Sequence, residues 1–111
     1  MTAVRDYHAE HEARVAWLKK HLVKAERGME SEYRVDLLDI VRLRMFRQPR
    51  DTRHWALVAH GPIENPILRG MGFLFEVEGQ RDRESFRTRE QVLSWIAIRW
   101  DDIVDKAMKA V

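Results

Sequence analysis

The sequence predicts an α+β fold: an N-terminal helix, a three- to four-stranded antiparallel sheet and a C-terminal helix, with the helices packed on one sheet face. Three observations predict it. Apolar residues recur at helical spacing near both ends of the chain. Through the middle they alternate with period two. The connections between the alternating runs are too short for parallel crossovers, which leaves hairpins. A length of 111 residues suits a single domain, 1–111.

Residues 3–27 read as the first helix. Val4, His8, His11, Val15, Leu18, Leu22, Ala25 and Met29 follow one another at steps of three and four. Acidic Asp6, Glu10 and Glu12 lie towards its start and Lys19, Lys20, Lys24 and Arg27 towards its end, as the helix dipole favours. Gly28 is expected to end it, since glycine accepts a left-handed cap. Residues 33–46 alternate in two runs, Tyr33–Leu37 and Val41–Met45, with a slip at Leu37-Leu38 that suits a bulge. A helix starting at Ser31 would gather Leu37, Leu38, Val41 and Met45 but would place Arg44 in the apolar arc, so strand is preferred.

Arg47–Arg53 is a loop built on Pro49 and Asp51. His54–His60 is a strand with Trp55, Leu57 and Ala59 on one side, and Gly61–Pro66 is a turn rich in breakers. Ile67–Glu78 reads as a long strand with Met71, Phe73, Phe75 and Val77 on one face and Gly70, Gly72, Leu74, Glu76 and Glu78 on the other. Gly79–Glu84 is a connection and Ser85-Phe86-Arg87 a last short strand. Thr88 with Gln91 forms a capping box for a helix whose stripe is Leu93, Ile96, Trp100, Ile103, Ala107 and Val111. Asp102 with Lys106, and Asp105 with Lys109, are pairs in the favourable order on its wet side. The expected core joins Leu18, Leu22, Phe73, Phe75, Trp100 and Ile103.

Composition excludes several chemistries. With no cysteine there is no disulfide scaffold, thiolate zinc site, iron–sulfur cluster or cysteine nucleophile. No apolar run approaches the ~20 residues of a membrane span. The Met1–Asp6 segment lacks the apolar core of a signal peptide, so a cytoplasmic protein is expected. The serines, Ser31, Ser85 and Ser94, have no histidine close in sequence, and there is no phosphate-binding glycine loop. No catalytic residue is assigned, and neither a cofactor nor a metal is expected. His8 and His11, with Glu12, share a helix face, but a zinc or nickel site would need a third ligand such as His21 or His54. If that stripe instead paired two subunits, protonation of His8 and His11 would weaken the contact.

The net charge is +2, from 20 basic and 18 acidic residues, but the excess is uneven. Arg42, Arg44, Arg47, Arg50 and Arg53 are opposed only by Asp51. Arg81, Arg83, Arg87, Arg89 and Arg99 are partly offset by Asp82, Glu84 and Glu90. Such patches recruit acidic partners.

Arg69-Gly70-Met71-Gly72-Phe73-Leu74-Phe75 resembles the longer signature segment of the RNA-recognition motif, whose alternate aromatics stack on bases. Phe73 takes one stacking position, whereas Met71 takes the other and Glu76 replaces the closing aromatic. That family also needs a helix between its first two strands, for which the segment around Pro49 leaves no room. Phe73 and Phe75 therefore read as core.

The expected function is that of a non-enzymatic binding or regulatory module, a small accessory or inhibitory protein. It would dock on an acidic protein surface through Arg42, Arg44, Arg47, Arg50, Arg53 and Trp55. The alternative is a single-stranded nucleic-acid-binding protein, in which the same arginines meet phosphates and Trp55 stacks on a base. A second copy of the chain is a further candidate partner, because Gly70, Gly72 and Leu74 would give the sheet a flat face.

Overall fold

The computed structural model describes residues 6–61 and 74–109. The elements are α1 (Tyr7–His21), β1 (Val23–Lys24), β2 (Tyr33–Leu37), β3 (Val41–Arg47), β4 (Trp55–His60), β5 (Phe75–Glu78), α2 (Arg89–Ile98) and α3 (Trp100–Lys109). The strands form one antiparallel sheet in chain order. The α+β class is as expected; among the described residues the sheet has five strands rather than three or four.

Helix α1 starts where Asp6 caps it, the side chain accepting the Ala9 N–H at 3.0 Å. It ends at His21, well short of the Arg27 expected from the apolar spacing. Leu22 turns extended, and Val23 and Lys24 pair with Arg34 and Tyr33 at the sheet edge. Ladder hydrogen bonds there replace the last helical turns, and β-branched Val23 favours the exchange. Gly28 accordingly does not cap the helix. It lies beside Glu32, whose carboxyl carbon would be 2.8 Å from any Cβ at that position.

β2 and β3 settle residues 33–46 as strand. Val35 pairs with Leu43 and Leu37 with Val41, all buried on one face. The slip at Leu37-Leu38 is a hairpin turn, not a bulge. The Ile40 N–H donates to the Leu37 carbonyl at 2.9 Å, with Leu38 and Asp39 at φ 51° and 56°. Strand β4, between β3 and β5, is buried on both faces: Trp55, Leu57 and Ala59 enter the main core, while Ala56 and Val58 join Phe46 on the other side. Phe75 and Val77 of β5 flank the main core as expected. The turn from Pro62 on and the strand expected over Ile67–Phe73, with its signature-like motif, lie outside the described residues, as do Val4 and Val111.

Ser85-Phe86-Arg87 is not a strand. Phe86 is nevertheless buried, and its carbonyl accepts the Trp55 N–H at 2.6 Å. Thr88 and Gln91 form the reciprocal capping box. The single C-terminal helix is divided at Arg99, whose backbone (φ −101°, ψ 14°) leaves the helical region. The stripe still carries across the break, since Leu93, Ile96, Ile103 and Ala107 are all buried with Leu18 against the Val35, Leu43 and Leu57 face of the sheet. Trp100 is only partly buried, edge-on to Trp17 at 5.4 Å. Asp105 and Lys109 make their expected pair at 2.9 Å. No helix among the described residues is long and apolar enough to cross a membrane.

Candidate functional site

The five clustered arginines lie on β3 and on the loop that follows it, and they fall into three groups. Arg42 points away from the helices and holds Asp36 of the neighbouring strand with both Nε (2.9 Å) and Nη2 (3.3 Å). Arg44 lies on the same face and holds Glu32, from Nη2 to Oε1 at 2.9 Å and from Nε to Oε2 at 3.2 Å. Glu32 also accepts from the Met29 N–H at 3.1 Å and from Arg34 Nε. Burial works to raise the Glu32 pKa. The hydrogen bonds from Arg44, Met29 and Arg34 outweigh it and hold the group at about 2. His60, whose Nε2 lies 3.2 Å from Arg44 Nη1, is pushed below 6.5 by burial and by the charges of Arg44 and Arg42.

Arg47 is tied inward. Its Nη1 donates to the Thr52 carbonyl at 2.9 Å, and its guanidinium lies 5.6 Å from the centre of the Trp55 ring. Trp55 itself is 6% exposed and packs in the main core beside Tyr33, so a base cannot reach its face as the ring stands. Alternation along β4 dictates this placement, because Trp55 shares a side with Leu57 and Ala59.

Arg50 and Arg53 remain, on the loop from Gln48 to His54. This loop is tightly braced. The Gln48 N–H donates to the His54 carbonyl at 2.9 Å, and the His54 N–H donates to the Asp51 carbonyl at 3.0 Å. The Asp51 carboxylate meets buried His54 Nδ1 at 2.7 Å and accepts the Arg53 N–H at 3.3 Å. The His54 bond, ahead of those from Arg53, holds Asp51 below the usual carboxylate range. The Arg53 side chain is 87% exposed, and Arg50 is exposed beside Pro49.

Against this loop, on the sheet face away from the helices, lies a hollow of about 370 Å³. Phe46 and Ala56 form its floor, with Gln48, Arg50, Glu76 and Glu78 around it. Neither Gln48 nor Glu32 carries a sequence signal: Gln48 meets β4 and β5 residues from further along the chain, and Glu32 is enclosed only when Arg34 and, from β3, Arg44 fold onto it.

The histidines do not converge. His8 pairs with Glu12 at 3.1 Å, whereas His11 Nε2 meets Ser94 Oγ at 3.3 Å on α2, a contact that sequence distance hides. Among the described residues no three histidines or carboxylates are grouped to hold a metal ion. The second arginine stretch is dispersed as well. Arg81 pairs with Glu78, Arg89 lies over Tyr33, and Arg99 lies over Trp95. No family model, curated protein or solved structure matches the chain.

Proposed function

We propose that the chain is a non-catalytic accessory or inhibitory module that docks on an acidic surface of a larger protein. The contact is made by the braced loop after β3, with Arg50 and Arg53 at its centre and Arg47, where the strand runs into the loop, beside them; Arg42, held by Asp36 near the other end of β3, lies outside it. One observation carries this reading: the loop is hydrogen-bonded along its length while Arg50 projects from it and Arg53, 87% exposed, is held only by a 3.3 Å pair from its Nε to Asp51. Ordering a loop on binding costs side-chain and backbone entropy. A loop already held by Asp51 and His54 has met that cost in the free protein. Arginine suits the task because its planar fork matches a carboxylate with two parallel hydrogen bonds.

The test is quantitative affinity capture from an extract of the source cells, with the wild type, an Arg50→Glu/Arg53→Glu double variant and Arg87→Glu as an exposed control. A protein retained by the wild type and the control but lost by the double variant supports the reading. Equal retention by all three overturns it. Titration with random single-stranded oligonucleotide provides the competing outcome. A log–log salt slope of about −1.4, the value for two neutralised phosphates, would assign the same two arginines to nucleic acid instead.

A further inference from the structure

Two arginines from different stretches of the chain lie on aromatic rings at one end of the domain, where β2 begins, β3 ends and β4 begins. Arg47 lies 5.6 Å from the centre of the Trp55 ring, Trp55 stands 6.5 Å from Tyr33, and Arg89 lies 4.4 Å from the centre of the Tyr33 ring. Strand register accounts for the row. Arg47 is opposite Trp55, and Tyr33 is opposite Met45, two residues back along β3 on the same face. The Thr88 cap then starts α2 with Arg89 over Tyr33. A cation in the first turn of a helix is opposed by the helix dipole. Neighbouring Glu90 does not compensate it, being paired with Lys19 at 2.8 Å, and Arg89 makes no hydrogen bond or ion pair among the described residues. Arg47 gives one N–H to the Thr52 carbonyl, which places it beside Arg53.

We infer that the docking surface continues from the loop across this row, so that Arg53, Arg47 and Arg89 together meet an extended acidic segment of the partner protein. Trp55 and Tyr33 are the positioning residues that hold two of those cations. The inference rests on the docking reading above and adds Arg89 to it. A guanidinium held against a ring has lost part of its freedom before binding and still offers N–H groups to a carboxylate. Against the three cations stand Asp51, bonded to His54 and Arg53, and exposed Glu30, whose carbonyl accepts the Arg47 N–H at 3.1 Å. The row is positive on balance. A single-stranded nucleic acid needs open ring faces on which to stack, and here Trp55 is 6% exposed and Arg89 lies over Tyr33. Carboxylates need only the guanidinium edges.

The test is an NMR titration of the full chain with the capped hexaglutamate peptide Ac-(Glu)₆-NH₂ at low ionic strength, where exposed charges are little screened. The arginine side-chain Nε–H resonances are followed, with hexathymidylate titrated in parallel. Arg47, Arg53 and Arg89 are expected to shift together and saturate at one peptide concentration. Arg89→Gln should weaken the peptide about two- to fivefold, as loss of one exposed charge pair does. Tyr33→Phe keeps the ring and should bind as the wild type does. Tyr33→Leu frees the Arg89 side chain and should lose about two- to tenfold while its amide spectrum stays in place. Wild-type affinity in both Arg89→Gln and Tyr33→Leu overturns the inference. Tighter binding of hexathymidylate at the same resonances overturns the acidic occupant. If Arg50 and Arg53 respond to the peptide while Arg89 does not, the extension falls and the docking loop stands. If none of them responds, both fall.

Discussion

The carboxylate of Glu32 and the guanidinium of Arg44 meet in a two-pronged pair, Nη2–Oε1 2.9 Å and Nε–Oε2 3.2 Å, with the Glu32 side chain fully buried. Breaking such a pair by removing one partner leaves the other charge without compensation. Glu32→Gln should therefore cost about 3 kcal/mol, the low end for a buried pair, because Arg44 and Arg34 keep some contact with water. Urea unfolding of the variant against the wild type measures it.

The same carboxylate sets an acid limit. Its pKa falls from 4.5 in the unfolded chain to about 2 in the fold, so below about pH 5 the unfolded state binds the extra proton first. The stability it contributes is complete above pH 4.5 and is lost as the pH falls towards 2, by about 3 kcal/mol in all. Asp51 titrates in the same direction. Unfolding measured between pH 7 and pH 2.5 should show a steep acid limb in the wild type and a shallower one in Glu32→Gln.

His60 makes a second, milder pH dependence. Burial, then Arg44 and Arg42, push its pKa below 6.5, so protonation favours the unfolded chain. Stability is full above 6.5 and declines as the pH falls through the lowered value. In an NMR titration His60 should have a midpoint below 6.5, and Arg42→Gln should move that midpoint upward. A midpoint at or above 6.5 would contradict this placement of the charges.

The capping box of Thr88 and Gln91 was legible in the sequence because its signal is contained in four residues. The same holds for the alternation of β2, β3 and β4, and for the loop at Pro49. What escaped were decisions made across the chain. Val23 alone is too weak a signal to say that residues 23–24 will form an edge strand, since that choice depends on β2 being there to pair with. The arginine run was visible, but not its division. Asp36 and Glu32 claim Arg42 and Arg44, and the hollow beside Gln48 exists only once β4 and β5 have joined β3.

Gly79 marks another such convergence. A Cβ there would lie 2.7 Å from Phe86 Cβ, 2.9 Å from Phe86 N and 3.1 Å from the Trp55 carbonyl. Two of these are backbone atoms joined to the sheet, by Trp55 N–H to Phe86 O at 2.6 Å and Gly79 N–H to Trp55 O at 3.1 Å. Gly79→Ala cannot be absorbed by a side-chain rotation and should cost about 1–3 kcal/mol, as overpacking does. Hydrogen exchange at the Trp55 amide should rise with it, which separates local loosening from a general loss of stability.

The turn between β2 and β3 predicts a gain rather than a loss. Leu38 and Asp39 occupy positive φ, 51° and 56°, a region that Asn and Gly enter at little cost and leucine does not. Leu38 is moreover half exposed, so its side chain secures little burial in return. Leu38→Asn with Asp39→Gly places Asn-Gly at the two central positions of a turn whose ends are already joined by Ile40 N–H and Leu37 O at 2.9 Å. Relief of the leucine strain is expected to add about 1 kcal/mol, less the entropy a new glycine adds to the unfolded chain. Thermal unfolding should shift upward by about 4–8 °C per kcal/mol gained in a domain of this size. Because the turn lies at the far end of β3 from the arginine loop, the same variant should perform in affinity capture as the wild type does.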